Sequence, residues 1–197
     1  MKSVLIIFAH PNLQQSTVNK ALLAGARQIE GVSVHDLYQV YPDSVVDIEA
    51  EQKRLAEYDV LVFQHPFYWY SAPSLLKEWL DLVLQFNYAY GPKGEALKDK
   101  TWLSVITTGG SKLAYCETGH NRFTMRELLT PYDQTAHLCQ MQFLPPFVIH
   151  SARAVSNNPA SLTQHVAHYQ QVLTELVSGE LAITDELRLM NDKWEQV

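Results

Sequence analysis

The chain has 197 residues, of which 47% are apolar and 18% charged, and its formal net charge is -6 at pH 7. This composition is typical of a globular enzyme domain and excludes a disordered chain. A mildly acidic protein has no bulk attraction to nucleic acid, so no nucleic-acid partner is expected. The two cysteines, Cys116 and Cys139, have no CxxC or zinc-binding spacing. They favour a reducing, cytoplasmic compartment and no metal site.

Short apolar runs alternate with helical periodicity along the chain. This pattern predicts strands over residues 4–9, 32–37, 59–64, 102–108 and 136–142, and the last is continued by 147–150 beyond Pro145-Pro146. It predicts helices from about residue 17, and over 47–57, 73–83, 122–129 and 162–176. Ser16 and Asp47 are the expected N-terminal caps of the first two helices.

The alternation of strands and helices predicts an α/β fold with a parallel sheet, right-handed crossovers and helices on both faces. We expect one domain over residues 1–178, and an extension over 179–197 that is helical or partly mobile. In such a sheet a ligand lies beyond the carboxyl ends of the strands. The loops after the first, third and fourth strands should therefore carry the functional site.

The loop after the first strand, residues 10–19, contains no glycine, so it is neither a Walker loop nor a dinucleotide fingerprint. It ends at a helix N-terminus, where free amides and the helix dipole favour an anion. Ser16, Thr17 and Asn19 add neutral donors, and His10 can add a charge-assisted donor. The loop thus suits a phosphate monoester, although an ordinary capped helix with a surface histidine fits the same residues.

The other two loops suit a planar ligand. The aromatic run 67–70 between Pro66 and Pro73 can form a flat apolar wall, or it can simply cap the core. The segment 107–110, Thr-Thr-Gly-Gly, lets backbone approach a ligand closely, although paired glycines are also common in turns. Phosphate donors, an aromatic wall and a glycine-rich segment at one sheet edge together predict a site for flavin mononucleotide (FMN).

These segments resemble those of the flavodoxin-like NAD(P)H:quinone oxidoreductases, and most of all the small ancillary proteins of bacterial glutathione-gated potassium efflux systems. The resemblance spans about residues 2–178 and is carried by 5–11, Ser16 with Asn19, 39–43, 64–71, 73–79, 107–110 and 144–147. It implies a flavodoxin-like three-layer sandwich with five parallel strands in the order 2-1-3-4-5.

The resemblance also implies a cofactor and its binding residues. The cofactor is FMN rather than FAD because the chain is short, with NAD(P)H as co-substrate, a quinone as acceptor and two-electron ping-pong hydride transfer. The phosphate-binding residues carried over by position are His10, Ser16, Thr17, Val18 and Asn19. The residues carried over for the flavin ring are Phe67, Tyr68, Trp69, Tyr70, Thr107, Thr108, Gly109 and Gly110.

Two catalytic positions follow from the same resemblance. Tyr115 matches a tyrosine that stabilises the reduced flavin near N1 and O2. The family also has a histidine after this tyrosine. In this chain that histidine is either His120, brought into place by a shorter loop, or it is lost, because Asn121 stands at the matching position.

The family further implies a homodimer and a potassium efflux transporter as a partner, so that the chain would be cytoplasmic or peripheral to the inner membrane. Three alternatives stay open: a flavin-binding regulatory module without important catalysis, an azo- or nitro-reductase, and a single-electron carrier. The remaining histidines carry no metal-binding pattern, and Glu49, Glu51 and Glu57 are expected on a solvated helix face.

Overall fold

A parallel β-sheet forms the centre of the fold in the computed structural model, which describes residues 1–184 and 186–194. Its strands are β1 (Val4–Phe8), β2 (Val32–Asp36), β3 (Val60–Pro66), β4 (Thr101–Thr107), β5 (Gln142–Phe143) and β6 (Phe147–Ile149). The strand order is β2-β1-β3-β4-β5, and β6 also pairs with β4. The predicted flavodoxin-like sheet order is thereby confirmed.

The fifth position of the sheet is divided between two short strands. Gln142 of β5 pairs with Thr101 at the start of β4, whereas Phe147 of β6 pairs with Val105 further along the same strand. Pro145 and Pro146 stand between β5 and β6 and cannot donate to a ladder. The expected continuation beyond the prolines is present, but the sheet has six strands in five positions.

Helices cover both faces of the sheet. They are α1 (Thr17–Ala26), α2 (Leu37–Val40), α3 (Ile48–Ala56), α4 (Ser74–Val83), α5 (Met125–Leu128), α6 (Thr130–Leu138), α7 (Ala152–Ser156) and α8 (Pro159–Ser178). Alternate residues of β1 point to opposite faces: Leu5 and Ile7 join the core under α3, α4 and α6, while Ile6 and Phe8 join the core under α1 and α8. The three-layer arrangement follows from this alternation.

The strand predicted over residues 136–142 is wrong for most of its length. Pro131 lies in the first turn of α6, and Tyr132, Ala136 and Cys139 follow at spacings of four and three and are buried. This helical periodicity directs one face of α6 into the core. Of the predicted stretch, Gln142 alone has a partner in the sheet within the described part of the chain.

The segment after α8 packs against the edge of the sheet. Met190 donates its amide to the Pro146 carbonyl at 2.9 Å, and the Asn191 side chain accepts the Val148 amide at 2.7 Å. The Trp194 ring stacks on His168 of α8, with centroids 4.3 Å apart. Positions 185 and 195–197 of the expected extension lie outside the described residues.

Within the described ranges, no helix combines the length and apolarity that crossing a bilayer would require.

A fully buried carboxylate, Glu51 of α3, joins three elements. It accepts hydrogen bonds from His35 Nε2 at 2.9 Å, from the Tyr41 hydroxyl at 2.7 Å and from Trp79 Nε1 at 2.8 Å. Burial alone would raise the pKa of Glu51, but these donors outweigh it and lower the pKa to about 2. The expectation that Glu51 lies on a solvated face is therefore wrong, because three donors from other elements hold it in the core, with Arg54 of α3 3.5 Å away as an ion-pair partner.

Glu51→Gln should destabilise the fold by about 3 kcal/mol, because buried hydrogen bonds to a charged acceptor are lost. Urea unfolding at pH 7 would measure the change in the free energy of unfolding. Glu49→Gln, on the exposed face of the same helix, is the matched control and should stay within about 0.5 kcal/mol of the parent.

The effect should also depend on pH. The pKa of Glu51 in the folded chain, about 2, lies below its ordinary value of 4.5, so its contribution is present above that value and is lost as the pH falls toward 2. The parent and Glu51→Gln should therefore converge in stability in acid. A constant difference down to pH 3 would contradict the assignment of a buried carboxylate.

Candidate functional site

Three loops meet at the carboxyl edge of the sheet. In the parallel register Phe8 lies beside Gln64, and Pro66 lies beside Thr107. The strands β1, β3 and β4 thus end together, and the segments that follow them are brought to one edge. The N-terminus of α1 is at the same edge because the Asn19 side chain bonds to Thr107.

The start of α1 presents free backbone amides. The first helical hydrogen bond runs from the Lys20 amide to the Ser16 carbonyl at 3.1 Å. The amides of Thr17, Val18 and Asn19 precede it, so helix geometry gives them no acceptor within the helix. Ser16 is at the cap position, but its hydroxyl accepts from the Asn19 side chain instead of from a backbone amide. This arrangement leaves the amides for an anion.

His10, in the loop between β1 and α1, is buried, with 8% of its surface exposed, and its ring lies edge-on to Tyr68. Burial lowers the pKa of His10, with Asp36 acting in the opposite direction. Its Nδ1 accepts the Asn12 amide at 3.1 Å, so the proton of the neutral ring is on Nε2. His10 therefore offers a neutral donor, whereas the sequence suggested a charge-assisted one.

A chain of buried polar side chains connects the helix start to the sheet. The Asn19 amide group donates to Ser16 Oγ at 3.1 Å and to Thr107 Oγ1 at 3.0 Å. Its oxygen accepts from Gln64 Nε2 at 3.2 Å, and Gln64 in turn accepts from the Tyr169 hydroxyl at 3.1 Å. Sequence reasoning missed Gln64 and Tyr169. The one available signal was a glutamine at the end of an apolar strand.

The aromatic loop after β3 has an unusual backbone. Trp69 and Tyr70 have φ angles of 49° and 60°, a left-handed conformation that bulky residues rarely adopt. Phe67 is buried and lies edge-on to Tyr70, with centroids 6.2 Å apart, while Trp69 is 92% exposed. Such strain persists where the surrounding structure holds it and often marks a functional site.

The Gly-Gly segment after β4 lies against Tyr115. The Thr108 and Tyr115 hydroxyls are hydrogen-bonded to each other, and the Thr108 hydroxyl also accepts the Gly110 amide at 3.3 Å. A Cβ atom at Gly110 would lie 2.9 Å from the Tyr115 ring, whereas one at Gly109 would meet open space. Gly110 thus allows the close approach of Tyr115.

A cavity of about 250 Å³ combines parts of two of these loops with the predicted catalytic positions. It is lined by Phe67, Trp69, Tyr70, Gly110, Ala114, Tyr115, His120 and Asn121. His120 and Asn121 both line it, and the Tyr70 hydroxyl donates to Asn121 Oδ1 at 3.1 Å. Gly119 permits this tight loop, because a Cβ there would lie 2.5 Å from the Leu113 carbonyl oxygen. We call this space the aromatic cavity.

No group of three or more His, Cys, Asp or Glu side chains is placed to hold a metal ion within residues 1–184 and 186–194. The residues at this edge instead offer amide and hydroxyl donors at the start of α1 and aromatic rings around a small cavity. That combination suits a ligand with a phosphate at one end and a flat ring system at the other.

The sheet order and this edge site define a flavodoxin-like protein. A family model described as "Flavodoxin-like fold" matches residues 2–173, and the chain belongs to this family. Among curated proteins, the chain is 47% identical over 176 residues to the glutathione-regulated potassium-efflux system ancillary protein KefG of Salmonella paratyphi B. That alignment covers 89% of this chain and 95% of the relative.

Two solved structures are similar over most of their length. The general stress protein 14 of Treponema denticola, in complex with FMN, is 39% identical with a TM-score of 0.79, covering 87% of this chain and 99% of that one. A protein of P. pentosaceus described as an NADPH-quinone reductase is 31% identical with a TM-score of 0.80, covering 87% and 98%.

Replacing Gln64 by Leu should destabilise the chain by about 2 kcal/mol, because the Asn19 oxygen and the Tyr169 hydroxyl lose their buried partner. Urea unfolding would measure this change. Gln164→Leu, on an exposed position of α8, is the matched control. Equal stabilities of the two variants would show that the buried amide chain does not hold the site together.

Proposed function

We propose that this chain is an FMN-dependent NAD(P)H:quinone oxidoreductase. The observation that carries the proposal is the convergence of the α1 amides, the aromatic loop and the Gly-Gly segment at one edge of the sheet. The FMN named for the Treponema denticola structure and the quinone-reductase description of the P. pentosaceus structure support it.

The described residues fit FMN at both ends. The amides of Thr17, Val18 and Asn19 would bind the phosphate, with the neutral His10 ring as a further donor nearby. Gly109 is exposed and a Cβ there would meet no atom within 4 Å, so its backbone is open to a ring system. The aromatic residues 67–70 would form the apolar wall of that site.

When bound, FMN would accept a hydride from NAD(P)H and pass it to the quinone. The protein's part is to position the reactants and to stabilise charge. Tyr115 lines the aromatic cavity, and its hydroxyl is oriented by Thr108. It can donate a hydrogen bond to negative charge that develops beside it. His120 and Asn121 line the same cavity and can donate hydrogen bonds as well.

The small size of the aromatic cavity supports a ping-pong order. Its volume of about 250 Å³ is below the usual range for a whole drug-sized ligand. With an FMN ring against the same aromatic wall, nicotinamide and quinone rings would have to use the remaining space in turn. The same site would accept other flat oxidants, so an azo- or nitro-reductase remains an alternative acceptor assignment.

The assembly and location belong to the same proposal. Trp69 and Phe86 expose large apolar surfaces, which supports a homodimer in which each subunit covers the other's site. The KefG relatives are named as ancillary proteins of a potassium efflux system. We therefore propose that the chain is cytoplasmic and docks on such a transporter. A flavin-binding module that only regulates the transporter is the second candidate function.

An absorbance spectrum of the purified chain, repeated anaerobically after NADPH is added, tests the proposal. We expect flavin bands that bleach with NADPH and recover with a benzoquinone, and chromatography should identify the released flavin as FMN. A chain that neither carries nor rebinds flavin would contradict the proposal. Bound flavin that neither NADPH nor NADH reduces would favour the regulatory module.

Tyr115→Phe should slow flavin reduction by NAD(P)H about 10- to 100-fold, because one donor to developing charge is removed. Anaerobic stopped-flow absorbance would measure the rate, and fluorescence titration would show that FMN affinity is retained. Tyr58→Phe, in the turn before β3 at the opposite end of the sheet, is the control. An unchanged rate in Tyr115→Phe would remove the catalytic role of this hydroxyl.

A further inference from the structure

A second cavity, of about 820 Å³, shares Tyr115 with the aromatic cavity and no other lining residue. Its walls come from the loop that follows Lys112, from α5, from His150 at the end of β6 and from the segment after α8. We call it the arginine cavity because Arg122, Arg126 and Arg188 line it. No residue of the expected phosphate site at α1 takes part in it.

Within the described part of the chain, no ion pair joins Arg122, Arg126 or Arg188 to an acidic side chain. The wall also carries three acidic side chains, Glu117, Glu127 and Asp192, and two of them have hydrogen-bond or ion-pair partners. Glu127 accepts the Thr124 amide at 2.7 Å in a capping box, and Asp192 pairs with Lys112 at 3.0 Å.

The charges that line the arginine cavity indicate which kind of ligand it would bind. The three arginines and Lys112 outnumber the three acidic side chains of the wall by one, and none of the arginines is in an ion pair within the described residues, so the cavity favours an anion. Guanidinium groups bind phosphate by paired hydrogen bonds. Met125 and Leu189 add apolar wall, and the volume is within the range of small-molecule sites. A nucleotide phosphate matches both properties.

The shared residue Tyr115 connects this cavity to the place where the nicotinamide would react. NADPH differs from NADH by one 2′-phosphate, which carries close to two negative charges at neutral pH. We propose that the arginine cavity binds the adenosine 2′-phosphate end of NADPH and makes the chain selective for NADPH. This inference rests on the proposed function, since it assigns the reductant of the same site.

The segment after α8 would then supply a specificity residue. Arg188 lies beyond residues 2–173, which the family model matches. The segment is held in place by the Asn191 bond to the Val148 amide and by Met190 against Pro146. Selectivity for NADPH would therefore depend partly on residues outside the common fold of the family.

Isothermal titration calorimetry on the FMN-loaded protein tests the cavity without turnover. We expect 2′,5′-ADP to bind at least 10-fold more tightly than 5′-AMP. Arg126→Ala and Arg188→Ala should each weaken 2′,5′-ADP binding about 10-fold, and Glu117→Gln should strengthen it, because one opposing charge in the wall is removed. Arg27→Ala, an exposed arginine at the far end of α1, should have no effect. Equal binding of the two nucleotides would overturn the inference.

Steady-state kinetics gives a second readout. In Arg126→Ala and Arg188→Ala, kcat/KM should fall about 10-fold with NADPH and less than 2-fold with NADH. An equal loss with both reductants would overturn the assignment of the 2′-phosphate. Absence of turnover with either reductant in the parent would instead refute the proposed function, and the calorimetry would still decide whether the cavity selects the phosphate.

Discussion

The buried amide of Asn19 is the constraint on which the site depends. It bonds to Ser16 at the start of its own helix, to Thr107 at the end of β4, and to Gln64 of β3, which is itself held by Tyr169 of α8. Each of these groups would cost about 1–3 kcal/mol if left buried without a partner. One relative placement of α1, β3, β4 and α8 satisfies them all. The same placement aims the first amides of α1 at the edge where the loops converge.

The remainder of the site consists of loops held by this rigid frame. The parallel register fixes where each loop begins, and the loops then adopt conformations that regular structure would not allow. Trp69 and Tyr70 are left-handed, and Gly110 and Gly119 have neighbours too close for a side chain. A loop surface built in this way can present exposed rings without weakening the core. The strands and helices fix the positions of the loops, and the loops carry the candidate site residues.

Much of this organisation can be read from the amino-acid sequence. Continuous apolar runs identify β1, β3 and β4 because strands covered on both faces need no polar side, and the loops that follow them could be named as site candidates. Glu51 could not be read in this way, because the donors that bury it come from β2, the turn after α2, and α4. The arginine cavity is hidden for a similar reason, since Arg122 and Arg188 are far apart in the chain. The prediction of a strand over 136–142 was wrong because the apolar residues on the buried face of α6 can be taken for a short apolar run in the sequence.

The segment after α8 also affects how copies of the chain meet one another. β6 is an outer strand, and its Val148 amide would otherwise face solvent as an open donor. Asn191 and Met190 occupy that donor and the neighbouring Pro146 carbonyl, so no further strand can add there. A newly made chain whose last residues have not yet docked has an open sheet edge of this kind. Docking of the segment after α8 therefore closes this edge of the sheet to strand addition, while β2 forms the opposite edge.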